Sequence, residues 1–228
     1  MLALVGSGEY LSPMEPVDRE LLARLGGSPR VVCLPTAAGR EGQERIGYWS
    51  RLGVDHFTRL DAQVAAVPVI DRDSADDPAL AGEIAAADFV YLSGGKPGYL
   101  YRTLAGSRTW EAILAVLGRG GLLAGCSAGA MVLGERFLGF PGWSEGFNLV
   151  PGVTVIPHFD ELPAAILRSA RLLAGKELTL VGVEGNTALV QNDERWEVLG
   201  AGRVAVWTAA GRSCYRQGAL PPGVLDRG

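Results

Sequence analysis

Short apolar runs that end at glycine or proline alternate along the chain with segments of helical spacing, and this alternation restricts the possible folds more than any other feature. Leu2–Val5 stops at Gly6-Ser7-Gly8 and is followed by Met14–Leu25, where Val17, Leu21, Leu22 and Leu25 recur at helical intervals. Arg30–Leu34 reads as a strand ending at Pro35, and Gln43–Leu52 as a helix closed by Gly53 in a left-handed cap. Val54–Leu60, which contains His56, and Val67–Ile70 read as strands. The acidic segment from Asp71 to Asp77 leads into a helix over Pro78–Ala87, and its carboxylates suit helix capping better than cation binding. Asp88–Leu92, Gly121–Ala124, Val153–Ile156 and Leu178–Val183 are further strands, interleaved with helices over Tyr99–Leu104, Trp110–Leu117, Ala128–Glu135 and Pro163–Leu173. Trp196–Leu199 and Arg203–Trp207 alternate as hairpin strands do. Such an order implies an α/β fold: a mostly parallel sheet with helices on both faces and antiparallel strands at the C-terminal edge. At 228 residues the chain suits a single domain spanning 1–228.

Composition removes several classes of function. A net charge of −4, with no cluster of Lys and Arg, provides no footprint for nucleic acid. The three cysteines form no C-x-x-C pair and only two histidines are present, so neither a metal site nor a cofactor is expected. The uncharged stretch from Gly120 to Gly134 is too short to span a bilayer, and the N-terminus carries no basic leader. The expectation is a soluble cytoplasmic protein, monomer or homodimer, acting on small molecules without a membrane or nucleic-acid partner.

Chemistry concentrates at Gly125-Cys126-Ser127-Ala128-Gly129, where an apolar strand meets a helix. G-x-S-x-G in that context is the nucleophile-elbow pattern, with glycines permitting a cramped turn that lifts the hydroxyl clear of the sheet. The following helix N-terminus offers free amides to a developing oxyanion. A glycine-rich turn with a capping serine is the plainer alternative. Cys126 competes as nucleophile, but the glycines centre on Ser127, which leaves Cys126 to the core. A serine needs a base, and His158 directly follows an apolar strand, at the edge where α/β sheets gather catalytic groups.

Leu92-Ser93-Gly94-Gly95, Gly125-Cys126-Ser127-Ala128-Gly129-Ala130, Pro157-His158-Phe159 and Val183-Glu184-Gly185-Asn186-Thr187-Ala188-Leu189 occur in the order found in the dipeptidase E and cyanophycinase family of serine peptidases, which the chain resembles from Leu4 to Val204. The resemblance implies a class I glutamine-amidotransferase-like fold and peptide-bond hydrolysis without a metal. It implies Ser127 as nucleophile, His158 as base, and backbone amides of Gly95 and Ala128 as oxyanion hole. The third member maps to Glu184, with Asp160 and Glu161 as alternatives close to His158. Family members divide between dipeptidases acting after an N-terminal aspartate, hydrolases of aspartyl polymers, and members without clear peptidase activity. Lys96 and Arg40 are the cations available to an acidic substrate. A catalytically silent small-molecule-binding protein and a related amidotransferase or esterase are the competing readings; the first would not require Ser127 and His158 to meet.

Overall fold

The computed structural model describes residues 1–139, 142–175 and 177–225, so the end of the expected domain, 226–228, lies outside the described residues. Its first half runs β1 (Leu2–Val5), α1 (Glu15–Leu25), β2 (Arg30–Leu34), α2 (Gln43–Arg59), β3 (Gln63–Ala66), α3 (Arg72–Ala75), α4 (Pro78–Ala85), β4 (Phe89–Leu92), α5 (Pro97–Leu104), α6 (Arg108–Gly118), β5 (Leu122–Cys126) and α7 (Ala128–Leu133). Strands β1, β5, β4, β2 and β3 pair in parallel in that order. Helices cover both faces, which explains why β1, β4 and β5 are apolar and buried along their whole length. Alternate side chains of β1 divide between the faces: Leu2 and Leu4 join the core under α4 to α7, and Ala3 and Val5 join that under α1 and α2.

The second half runs β6 (Arg136–Leu138), β7 (Trp143–Glu145), β8 (Val153–Ile156), α8 (Ala164–Ala174), β9 (Thr179–Val183), β10 (Thr187–Asn192), β11 (Arg195–Gly200), β12 (Val204–Thr208), β13 (Gly211–Tyr215) and β14 (Gly218–Ala219). Antiparallel β10, β11 and β14 extend the main sheet beyond β1. The α/β class and the antiparallel edge agree with the sequence reading. A second sheet, in the order β13-β12-β9-β8, was not legible there. Only residues 184–186 separate β9 from β10, yet the two strands belong to different sheets. The chain turns there against Gly6, where an added Cβ would lie 2.1 Å from the Glu184 carbonyl oxygen.

Three local expectations are corrected. Val54–Leu60 is not a strand, because α2 continues through Gly53 to Arg59 and carries His56 into the core. Gly53 serves packing instead of capping: a Cβ there would sit 2.9 Å from Cys33 Sγ and 3.2 Å from the Tyr10 ring, so glycine lets the helix lie close on β2. The strand expected at Val67–Ile70 lies earlier, at Gln63–Ala66. Val67 and Val69 are buried, but Val69 N–H bonds back to the Val67 carbonyl across Pro68, a turn that takes the segment out of the ladder. The acidic segment caps two helices. Asp71 and Ser74 form a reciprocal capping box on α3, and Asp77 accepts the Ala79 and Leu80 amides at the start of α4.

Candidate active site

Strand β5 ends at Cys126, and Ser127 occupies φ 50°, ψ −111°, a conformation that costs a side-chain-bearing residue about 1–3 kcal/mol. Its surroundings impose that turn. The Ser127 amide bonds to the Val5 carbonyl at 3.1 Å, while its own carbonyl accepts the Met131 amide at 3.0 Å. Both flanking glycines are needed for close approach: a Cβ on Gly125 would meet Gly129 backbone at 2.5 Å, and one on Gly129 would meet the Leu92 carbonyl at 2.5 Å. The hydroxyl is therefore held at the end of the sheet, half-buried.

His158 leaves β8 in a second left-handed conformation, φ 51°. Its Nε2 lies 3.1 Å from Ser127 Oγ, and its Nδ1 lies 3.2 Å from Glu161 Oε2. A tight turn closes this arrangement, with the Glu161 amide bonded to the His158 carbonyl at 3.0 Å. Phe159 anchors the turn to the second sheet through a 3.1 Å bond from its amide to the Val183 carbonyl. Its ring fills the space above Gly182, where any Cβ would come within 2.1 Å of it. With Nδ1–H facing the carboxylate, Nε2 is free to accept the serine proton.

Glu184 is paired with Arg203. Its carboxylate accepts the Arg203 amide and Nε, each at 2.8 Å, in a fork that ties two loops together. Asp160 accepts the Gly185 amide at 2.8 Å and so also binds the turn to that loop. Of the three acids considered from sequence, Glu161 is the one brought to the His158 ring.

The Gly94-Gly95 turn follows β4 beside the elbow. Gly95 has φ 143°, and an added Cβ would lie 2.6 Å from the Ala37 carbonyl, so the turn requires glycine. The next residue fixes it from the other side, since the Lys96 amide bonds to the Ala37 carbonyl at 2.9 Å. Among the described residues the amides of Gly95 and Ala128 have no acceptor.

Residues 2–199 match the model of peptidase family S51. The chain belongs to that family of serine peptidases. Its fold is similar to that of a peptidase from an acI-B1 Actinobacterium, with 34% identity and a TM-score of 0.82 over 97% of this chain and 94% of the other. A Listeria monocytogenes EGD-e protein provisionally assigned as peptidase E shares the fold at 19% identity and TM-score 0.66, over 88% and 98% of the respective chains. No curated protein matches the sequence.

Within this S51 peptidase, Cys126 is fully buried and its thiol donates to Glu9 Oε2 at 3.0 Å. Burial and the neighbouring Glu9 charge push the thiol well above its ordinary range, which keeps it protonated and unsuited to attack. Glu9 itself was not singled out from sequence; the available signal was an acid placed directly after the Gly6-Ser7-Gly8 turn of a central strand. Lys96 is exposed beside Gly95. Arg40 lies 5.0 Å over the Tyr99 ring and lines a pocket with Asp71, Asp73, Arg72 and Arg102. Among the described residues neither cation makes a hydrogen bond or ion pair with Ser127 or His158. Among the described residues no group of three or more His, Cys, Asp and Glu side chains is arranged to hold a metal ion, and no helix is long and apolar enough to cross a membrane.

Proposed function

We propose that this S51 peptidase hydrolyses short peptides through an acyl-enzyme on Ser127. The observation that carries the reading is the 3.1 Å contact between Ser127 Oγ and His158 Nε2 at a strained elbow. Serine attacks the scissile carbonyl carbon as its proton passes to Nε2, and the carbonyl π electrons move onto oxygen. The Gly95 and Ala128 amides, without other acceptors, are suited to hold that oxyanion. Collapse breaks the C–N bond, and His158 returns the proton to the leaving amine. Water then attacks the acyl ester with His158 again taking a proton, which it gives back to Ser127 Oγ as the acid product leaves. Glu161 orients the ring through Nδ1. No step in this sequence calls on a metal.

The proposed substrate has an acidic residue on the acyl side, with Lys96 or Arg40 as its partner. Lys96 is better placed, being exposed and adjoining Gly95, whereas Arg40 is stacked on Tyr99. The approach of Ser127 and His158 weighs against a silent binding protein. Rates on Asp-X, Glu-X and neutral dipeptides, compared between wild type and Ser127→Ala, test this reading. Ser127-dependent cleavage that favours acidic dipeptides is expected. Equal rates on neutral ones would remove the acidic preference, and cleavage by Ser127→Ala would overturn the serine mechanism.

A further inference from the structure

Glu9 is a buried carboxylate, 6% exposed, for which the proposed chemistry has no step. One oxygen accepts the Gly94 amide at 2.9 Å and the other accepts the Cys126 thiol at 3.0 Å. Those partners lie just before the two arms of the proposed oxyanion hole: Gly94 precedes Gly95, and Cys126 precedes Ser127-Ala128. A buried carboxylate is costly unless its oxygens are satisfied, and here the satisfying donors come from the site's own turns. Among the described residues no ion pair is made by Glu9, which sets it apart from Glu184 on Arg203. The space beside it is as narrow as the contacts imply. A Cβ on Gly94 would lie 2.6 Å from Glu9 Oε1 and 3.4 Å from Ser127 Cβ, so a side chain there would have to displace the Glu9 carboxylate.

We propose that Glu9 is a positioning residue that joins the turn after β1 to both arms of the oxyanion site. By holding the Gly94 amide it fixes the orientation of the next peptide, whose N–H belongs to Gly95. By holding Cys126 it ties that peptide to the strand end carrying Ser127 and Ala128. Glu9 exchanges no proton in this role and touches no substrate atom. Preorganised donors stabilise an oxyanion because they need not reorient as charge develops, so loosening one arm slows acylation more than it weakens substrate binding.

This inference rests on Ser127 being the nucleophile, and the test separates the two. The probe is a fluorophosphonate, whose phosphoryl oxygen occupies the oxyanion position when serine attacks. Labelling rates are measured for wild type, Ser127→Ala, Glu9→Gln and Glu9→Asp. Gln keeps an oxygen for the Gly94 amide at the same reach, whereas Asp keeps the charge but is one methylene too short. Glu9→Gln is expected to label within about threefold of wild type and Glu9→Asp about 10–100-fold more slowly, on the scale of a weakened oxyanion donor. The pH profile of labelling should match in the two variants, because Glu9 exchanges no proton in this role. The amide NMR shift of Gly95, read without any probe, should move in Glu9→Asp and stay in place in Glu9→Gln. Folded Glu9→Asp that labels at the wild-type rate, or Glu9→Gln as slow as Glu9→Asp, overturns the positioning role. An unlabelled wild type, or a labelled Ser127→Ala, instead overturns the nucleophile assignment; an unmoved Gly95 shift in Glu9→Asp would then still count against Glu9.

Discussion

The chain has two histidines, and each faces a carboxylate, but the two pairs occupy opposite environments. His56 on α2 and Asp18 on α1 meet at 2.7 Å with both side chains fully buried. His158 and Glu161 meet at 3.2 Å with side chains 38% and 61% exposed. Among the described residues His56 Nδ1 and Asp18 Oδ1 make no hydrogen bond, and aromatic rings of Tyr10 and Phe57 close around the imidazole. The open pair holds a strained serine on its free nitrogen and has solvent at its edge. A histidine–carboxylate contact thus identifies no function by itself. What marks His158 is the third group within reach and a path for protons to leave.

The comparison breaks most visibly in turnover. Ser127→Ala and His158→Ala are each expected to lower kcat by about 10³–10⁶, with losses that do not add because the groups act together. His56→Ala should leave kcat per folded molecule near wild type, as steady-state rates corrected for active fraction would establish. A large loss of kcat in folded His56→Ala would dissolve the distinction between the two pairs.

Stability should respond in the opposite sense. Removing one partner of a fully buried pair leaves the other stranded, so Asp18→Ala or His56→Ala is expected to destabilise the fold by about 3–5 kcal/mol in denaturant unfolding. The double change Asp18→Leu with His56→Leu should be milder than either single one, since the pair leaves two polar atoms unsatisfied even when intact. A double variant as unstable as the summed singles would refute that account.

The acids near His158 sharpen the comparison at a smaller scale. Glu161→Gln is expected to lower kcat about tenfold, a modest effect because the carboxylate is solvated and its contact is screened. Glu184→Gln should alter kcat less and act through the loop that Arg203 ties down. The reverse order would move the orienting role to Glu184.

The smallest expected effect is a pH dependence of folding. Burial outweighs the His56 bond and raises the Asp18 carboxyl above its ordinary 3.8. The native state therefore holds this proton more tightly than the unfolded chain. The resulting stabilisation is complete below 3.8 and is lost as pH rises through the raised native value. Asp18→Asn should remove that contribution, and unfolding followed across the acid range would show whether the slope changes.

Much of this was legible in the chain because it is local. The elbow declares itself in five consecutive residues, and His158 stands directly after an apolar strand. Glu161 required the turn geometry, since three acids lie near His158 in sequence or in the family pattern and only backbone conformation selects among them. Val54-Asp55-His56-Phe57 has the composition of a strand, but packing on β2 through Gly53 keeps it in α2. Glu9 was out of reach for a different reason: its partners are 85 and 117 residues away, and nothing in their composition announces the pairing. The second sheet escaped notice likewise, because an apolar run reveals a strand and not its neighbour.

The central claim, that Ser127 activated by His158 is the nucleophile, is tested most directly by mass spectrometry after fluorophosphonate treatment. One adduct on Ser127 is expected in wild type and in His56→Ala, with slow labelling in His158→Ala and none in Ser127→Ala. An adduct that persists in Ser127→Ala, or wild-type labelling unaffected by loss of His158, would contradict it.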